Sequence, residues 1–405
     1  MSQFEQDLTQ GSVLKKLIVF SLPFLLSNIV QSLYNVADML IVGNLSGTAA
    51  MSGVNIGGQI TFILTNLVFG LCTGGTVLIA QAMGARRRDE MKSVVATLIT
   101  GLSIIALVLT VVVSLLKDPL LRLIQTLEGS YQEASDYLLV TLLGLFFIFG
   151  YNALSAILRG MGDSKRPFWF VLIACITNIV LDLLLVGPLK MGAMGAAIAT
   201  VISQALSMLL CVVYLIKHDF IFDFKRKSFR VDKHTAAKIL RIGTPTAVQN
   251  TVVSLSFLFI ISLANQLGME ASAAVGVVSK FNGFAIMPCV AMSAAISTMA
   301  AQNIGAGKWD RARKSCWIGM VVAVAFSYAI FAVAQSFPRE IVAMFDPNEL
   351  TVQNGEQYMR SFSLDYLFVP FVFCLNGLFI GAGHTTWSLV TGMVSSLVGR
   401  VPASY

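Results

Sequence analysis

Long apolar runs separated by short basic clusters dominate this chain of 405 residues, and they constrain its fold more than any single motif does. Only 12% of the residues are charged, whereas a soluble globular domain carries about 25% charged residues. Too few polar side chains remain to cover a water-soluble body of this size. The composition therefore argues against a soluble enzyme, a disordered scaffold and a nucleic-acid-binding protein, and it predicts a protein that spans the lipid bilayer.

Eleven apolar runs are each long enough to cross a bilayer as a helix. Backbone polar groups inside a membrane must be paired within the protein, which favours helices throughout. The fold class predicted from these runs is an all-α integral membrane protein. The predicted spans are 17–42, 54–83, 92–115, 132–157, 166–187, 193–216, 237–266, 274–303, 315–338, 357–381 and 387–405.

The basic residues predict how the chain is oriented in the membrane. Of the 28 Lys and Arg residues, 21 fall on the side of the predicted spans that also carries the N-terminus. Because Lys and Arg concentrate in cytoplasmic loops, we expect a cytoplasmic N-terminus. This placement also accounts for the net charge of +7 without a nucleic-acid partner. The six cysteines form no CxxC pair, so the sequence indicates neither a disulfide framework nor a zinc site.

The two halves of the chain repeat one another. AQAMGARRRD at 80–89 matches AQNIGAGKWD at 301–310 at an offset of 221, and Pro23 matches Pro245 at an offset of 222. Six spans per half make the repeats parallel, and the cleft between such repeats is the usual transport path. The same offset places the end of the chain inside an eleventh helix, so we expect the second lobe to lack its twelfth. The predicted domains are an N-terminal six-helix lobe at 1–216, a cytoplasmic linker at 217–238 and an incomplete C-terminal lobe at 239–405.

Four elements occur in order along almost the whole chain. They are SLPFLLSNIVQSLYNVADMLIVG at 21–43, AQxxGA in both halves, LRGMGDSKRP at 158–167 and NIVLDLLLVG at 178–187. Together they resemble the multidrug and toxic compound extrusion (MATE) transporters. The resemblance implies the twelve-helix fold of a secondary antiporter, which exports cationic drugs against an inward flow of H⁺ or Na⁺. It implies a multi-pass protein of the bacterial inner membrane, with no cofactor besides the coupling ion, and we expect a monomer.

Two acidic residues lie at similar depths in the outer part of the first lobe. Asp38 is in span one and Asp182 is in span five, where Asn178 lies one helical turn before it. Thr200 in span six lies at a similar depth. Carboxylate, amide and hydroxyl oxygens suit Na⁺, and two desolvated carboxylates also suit a shared proton. The alternative is that neighbouring amides pair with each Asp as a structural contact between helices.

The resemblance agrees with a cation site in this place. In the H⁺-linked, DinF-like branch of the family, the N-terminal half binds the cation through an Asp, an Asn one turn before a second Asp, and a Thr. These correspond to Asp38, Asn178, Asp182 and Thr200. No other metal is expected, and Na⁺ would use the same four residues.

Polar residues near this site are candidates for the substrate cleft. Tyr34 lies one turn before Asp38, and Asn35 shares a helical face with it. We expect the cleft to take small cationic amphipathic molecules, because Met and Phe side chains provide an adaptable apolar surface for flat cations. The predicted cleft residues are Gln31, Tyr34, Asn35 and Asn152.

The second half lacks this constellation. Its repeat equivalents of Asp38 and Asp182 are Ile260 and Ala403, so we expect ion coupling in the first half. Lys280 and Asp365 lie inside spans of the second half and are predicted to form a structural ion pair, with a substrate role as the alternative. Arg400 either reaches toward the membrane surface or lines the cleft.

Three other functions are compatible with a polytopic chain. A lipid-linked oligosaccharide flippase of the same superfamily would need several cationic residues for a pyrophosphate, and few lie within the spans. GMGD at 160–163 resembles an element of intramembrane aspartyl proteases, but its repeat copy carries His384 in place of the Asp, and we predict a tight turn instead. A channel is less compatible with repeats that suggest alternating access. The chain is therefore predicted to be a transporter and not an enzyme.

Overall fold

The fold is built from helices joined by short connections. The structure is a computed structural model that describes residues 5–218, 220–266 and 268–400, the last three as backbone only, and the described residues contain no strand. The helices are Val13–Gly84 (α1), Arg88–Leu115 (α2), Lys117–Leu123 (α3), Glu128–Leu143 (α4), Leu145–Gly160 (α5), Lys165–Val186 (α6), Gly192–Lys217 (α7), Lys233–Gln266 (α8), Met269–Ala285 (α9), Met287–Gly305 (α10), Trp309–Ser336 (α11), Pro338–Ala343 (α12), Glu349–Phe362 (α13), Val369–Gly381 (α14) and Thr385–Met393 (α15). Two 3₁₀ turns, Arg226–Ser228 and Ser363–Leu367, and a π-helical turn, Val394–Arg400, complete the described secondary structure.

The predicted spans fall on these helices. Within the described residues, seven helices are long and apolar enough to cross a membrane, or nine if each of two bent helix pairs is one span. One of the seven, α1, holds two predicted spans, because its backbone breaks at Gly47, where φ is 83°. The predicted all-α membrane fold is confirmed. The last predicted span is covered by α15 and the π-helical turn up to Arg400, and its remainder lies outside the described residues.

Two predicted spans are bent rather than straight. The first is formed by α4 and α5, which meet at 52°, and the second by α13 and α14, which meet at 41°. The first bend lies at Gly144, where an added Cβ would come within 2.2 Å of the Val201 side chain. At the second bend, the 3₁₀ turn Ser363–Leu367 precedes Pro370, near the start of α14.

Packing divides the chain into two units, and each unit is made of two separate stretches of the sequence. The first contains residues 5–6 and 26–247, and the second contains residues 7–25 and the described residues from 248 onward. The boundaries 25/26 and 247/248 lie two residues after Pro23 and Pro245, the prolines inside α1 and α8. Proline removes a backbone hydrogen bond from a helix interior. Each of these two helices is therefore weakened near the residue at which it passes from one unit to the other.

The first unit has an apolar core formed mainly by α1, α2 and α5. Its helices approach closely where their facing residues are small. Gly70 and Gly74 of α1 lie directly against the backbone of α8. The segment after α7 also packs into this core, through the buried side chains of Phe220 and Phe222.

The second unit holds the segment that precedes α1. The Leu8 side chain is buried in an apolar cluster with residues of α10 and α11. Its backbone N–H donates to Gln302 Oε1 at 3.0 Å, and its carbonyl accepts from Arg311. Burial alone raises the pKa of Asp7, but hydrogen bonds from Thr9 and the ammonium groups of Lys16 and Lys308 hold it below its ordinary value. Asp7 therefore stays ionised at neutral pH, and its contribution to this attachment is lost only as the pH falls through that lowered value.

The GMGD element is a turn between helices, as the sequence predicts. Gly162 has φ of 85°, and Asp163 Oδ1 accepts hydrogen bonds from the N–H groups of Lys165 and Arg166 at the start of α6. Asp163 is fully buried and forms an ion pair with Arg166. Asp163 therefore stabilises the turn between α5 and α6, which is a structural role.

Candidate cation-coupling site

Asp38 and Asp182 come together in the first unit. Asp38 lies on α1 and Asp182 on α6, and their side chains are 6% and 0% exposed. The two carboxyl groups are close enough to interact electrostatically. Because two carboxylates so close together repel one another when both are ionised, the arrangement favours binding of a cation or a shared proton.

Asn178 and Thr200 lie beside this pair. Asn178 is 1% exposed on the same face of α6 as Asp182, and its Nδ2 donates to Thr200 Oγ1 at 3.4 Å. Thr200 reaches Asn178 because α7 packs closely on α6. An added Cβ on Gly195 of α7 would lie 3.3 Å from the backbone of Leu185. The small buried residues of α7 that permit this approach are Ala193, Gly195, Ala196, Ala197 and Ala199.

Several oxygen atoms of this cluster are buried without a hydrogen-bond partner among the described residues. They are Asp38 Oδ1, Asn178 Oδ1 and both carboxylate oxygens of Asp182. An unpartnered buried carboxylate is costly, so proteins rarely retain one without a function. The donor set fits a coupling cation, since these oxygens could coordinate Na⁺ and the two carboxyl groups could hold a proton. Among the described residues, no group of three or more His, Cys, Asp or Glu side chains is placed to hold a metal ion.

A small cavity borders the cluster. It is lined by Gln31 and Tyr34 of α1 and by Asn178, among others, and its free space of about 10 Å³ has room for about one water molecule. Two of the four predicted cleft residues therefore line a cavity next to the carboxylates. Asn35 is exposed on α1, and Asn152 donates from Nδ2 to the Ile148 carbonyl of its own helix at 2.8 Å, so neither lines this cavity.

Tyr137 also lies at this cluster, although the sequence-based prediction did not include it. This buried tyrosine of α4 lies close enough to Asp38 and Asp182 to interact with both electrostatically. Its ring is adjacent to Gly57 of α1, where an added Cβ would lie 2.6 Å from a ring carbon. The signal in the sequence was the pair Gly53 and Gly57, one turn apart, which indicates that another helix packs closely at this point of α1.

In the second unit the predicted arrangement is only partly present. Ile260, the repeat equivalent of Asp38, lies on α8, whereas Ala403 and the side chain of Arg400 lie outside the described residues. Lys280 and Asp365 are both exposed, and the ion pairs recorded among the described residues do not join them. The structure therefore does not join Lys280 to Asp365. Asp365 lies in the 3₁₀ turn at the bend before α14, so depth counted along a straight helix misplaces it.

Comparison with known proteins identifies the family. The MatE family model matches the chain twice, at residues 23–184 and 245–405. The chain belongs to the MATE family. The two matches start at Pro23 and Pro245, in agreement with the repeat offset of 222 in the sequence.

Relatives of this MATE protein are similar over nearly its whole length. The probable multidrug resistance protein YpnP of Bacillus subtilis is 31% identical over 98% of this chain and 88% of its own. The probable multidrug resistance protein YoeA of the same organism is 30% identical over 99% of this chain and 88% of its own. A solved MOP superfamily transporter from Pyrococcus furiosus is 25% identical, covers 98% of this chain and 89% of its own, and superposes with a TM-score of 0.91. This MATE protein is thus a multi-pass membrane transporter and not an enzyme.

Proposed function

We propose that this MATE protein is a secondary active antiporter that exports cationic amphipathic drugs or toxins in exchange for H⁺ or Na⁺. The observation that carries the proposal is the pair of buried carboxylates, Asp38 and Asp182, because three of their four oxygens are buried without a partner among the described residues. A buried site of this kind favours a positively charged occupant. The relatives named probable multidrug resistance proteins support drugs as the exported molecules.

The coupling follows from competition for negative charge. When a proton or Na⁺ occupies the carboxylate pair, the first unit loses the charge that attracts a cationic substrate. Drug and coupling ion then oppose each other's binding, and by linkage each weakens the other by the same factor. Asp38 lies on the helix that carries Pro23, so neutralising this carboxylate allows α1 to repack and bend near the proline, which shrinks the first-half cavity and releases the drug.

The same proposal gives the chain a location and an orientation. Its basic residues concentrate on the side that carries the N-terminus, which supports a cytoplasmic N-terminus in a bacterial inner membrane. We propose that it acts as a monomer. The flippase alternative gains no support, because the site offers carboxylate and amide oxygens rather than cationic groups for a pyrophosphate.

Expression of the protein in an efflux-deficient bacterium should confer resistance to ethidium-type dyes and to fluoroquinolones. Acidic and amide oxygens beside an apolar surface bind amphipathic cations better than anions. Minimal inhibitory concentrations for matched cationic and anionic compounds provide the measurement. Resistance to the anionic compounds alone would contradict the proposed substrate class.

The coupling ion is assigned by imposing one gradient at a time on vesicles that contain purified protein. We expect dye efflux under either an H⁺ or a Na⁺ gradient, and Thr200→Val distinguishes the two. Na⁺ uses neutral oxygens as ligands, so loss of the Thr200 hydroxyl should raise the half-saturating Na⁺ concentration about tenfold, the effect of roughly one lost ligand. A proton needs only the carboxylates, so H⁺-driven efflux should survive the substitution. Absence of efflux under both gradients would rule out an antiporter.

A further inference from the structure

Five of the described helices end in the same hydrogen-bonded turn, and in two of the five turns the middle residue is not glycine. In each turn, three successive N–H groups donate to carbonyls four, three and five residues earlier, which is a Schellman ending. The middle residue of such a turn adopts positive φ, where glycine is favoured because it has no Cβ. The five middle residues and their φ angles are Arg86 (59°), Gln125 (54°), Gly162 (85°), Gly307 (74°) and Gly383 (78°).

Arg86 and Gly307 occupy the same position in the two repeats. They are 221 residues apart and lie in the matching elements AQAMGARRRD and AQNIGAGKWD. The second repeat therefore shows which residue suits this backbone. An arginine with positive φ is unfavourable, and an interaction of its side chain would offset the backbone strain.

The positive-inside pattern does not account for this choice. That pattern requires basic residues in the loop, and Arg87, Arg88 and Lys92 already supply them at positions without positive φ. The positive-inside pattern does not require a basic residue at position 86, where φ is positive. An arginine at position 86 is better explained by a specific contact of its guanidinium group.

Arg86 lines a basic cavity in the first unit. The cavity has a volume of about 340 Å³ and contains the side chains of Arg86, Arg87, Arg88 and Glu5, with Met83 and Met91 as apolar neighbours. Arg88 pairs with Glu5 at 3.6 Å, and Arg87 pairs with Glu90 at 3.4 Å. Arg86 forms neither an ion pair nor a side-chain hydrogen bond within the part of the chain that the structure describes.

We propose that Arg86 binds the phosphate group of an anionic phospholipid. The turn joins two membrane-spanning helices, because α1 ends at Gly84 and α2 begins at Arg88, so it lies at the membrane surface where headgroups are present. Three arginines against one glutamate give the cavity an excess of positive charge. Guanidinium groups match the oxygens of phosphate, and the methionines provide apolar contact for the glycerol and upper acyl chain.

The test measures lipid-dependent thermal stability of the full chain in neutral detergent. Short-chain phosphatidylglycerol, short-chain phosphatidylcholine and inorganic phosphate are titrated separately. The variants are Arg86→Gln, Arg86→Lys and Arg86→Gly, with Arg313→Gln as the matched control. Arg313 is an exposed arginine of α11, which follows the equivalent turn in the second repeat.

We expect phosphatidylglycerol to raise the unfolding temperature of the parent protein and phosphatidylcholine to have no such effect. Loss of one charge-assisted contact should weaken the apparent lipid affinity about tenfold in Arg86→Gln. Arg86→Lys should retain part of the response, and Arg313→Gln should retain all of it. Arg86→Gly should unfold at the same or a higher temperature than the parent without lipid, because glycine suits positive φ, and yet lose the lipid response.

The outcomes separate the proposal from its alternatives. An Arg86-dependent response to inorganic phosphate as large as that to phosphatidylglycerol supports the phosphate site and assigns it to a soluble phosphate ester instead of a lipid. Equal responses in Arg86→Gln and the parent overturn the proposal. A fall in the unfolding temperature of lipid-free Arg86→Gly overturns the argument from backbone strain, and equal stabilisation by phosphatidylcholine overturns the argument from charge.

Discussion

Asp182→Asn should abolish dye efflux while leaving the protein folded and no less stable than the parent. The substitution keeps the size of the side chain and removes the charge that the coupling ion would neutralise. Both carboxylate oxygens of Asp182 are fully buried without partners among the described residues, so a neutral amide costs less to bury than the ionised carboxylate. Efflux from vesicles measures function, and the unfolding temperature in detergent measures stability. Asp38→Asn should give the same pair of results.

The alternative interpretation of Asp182 gives the opposite stability result. If the aspartate only joined helices, its replacement would lower the unfolding temperature and affect transport in proportion. Asp365→Asn is the matched control, since it removes an acidic group from an exposed position in the second unit and should be milder. Full transport in both first-half variants, together with loss in Asp365→Asn, would move the coupling site to the second half.

The sequence predicted those parts of the candidate site that depend on helical spacing. Asn178 and Asp182 share one face of α6 because four residues make about one turn. The repeat offset gives Ile260 as the equivalent of Asp38, and the location of ion coupling in the first half stays a prediction. Charge scarcity and run length were sufficient to predict a helical membrane fold, because the bilayer leaves few alternatives to a helix.

The sequence did not predict which helices pack against one another at the site. Tyr137 joins the carboxylate cluster from α4, a helix whose own sequence contains no hint of the site. Two spans that are continuous by hydropathy are broken in the structure. One is bent at Gly144, and the other is interrupted by the 3₁₀ turn that contains Asp365. Lys280 and Asp365 are not joined in the structure, since equal depth along two straight helices does not fix the direction of a side chain at a bend.

The contact between α1 and α8 also depends on packing, and it leads to a second prediction with a large expected effect. In the first unit, an added Cβ on Gly74 would lie 2.5 Å from the Ile239 carbonyl oxygen, and one on Gly70 would lie 2.5 Å from the Ala247 Cβ. Both obstacles belong to α8, and in the case of Gly74 the obstacle is backbone, which cannot rotate away. Close backbone approach through small residues is a main source of helix association in membranes.

Gly74→Leu should therefore separate the start of α8 from α1 and destabilise the protein. Overpacking of this kind costs about 1–3 kcal/mol and occasionally more, and a leucine against backbone belongs at the upper end of that range. We expect a marked fall in the unfolding temperature in detergent, with a smaller fall for Gly74→Ala. Gly58→Leu is the control on the same helix, because an added Cβ there meets nothing within 4 Å. Equal falls in the unfolding temperature for Gly58→Leu and Gly74→Leu would show that the destabilisation comes from replacing a helical glycine. The close contact between α1 and α8 would then not explain the effect of Gly74→Leu.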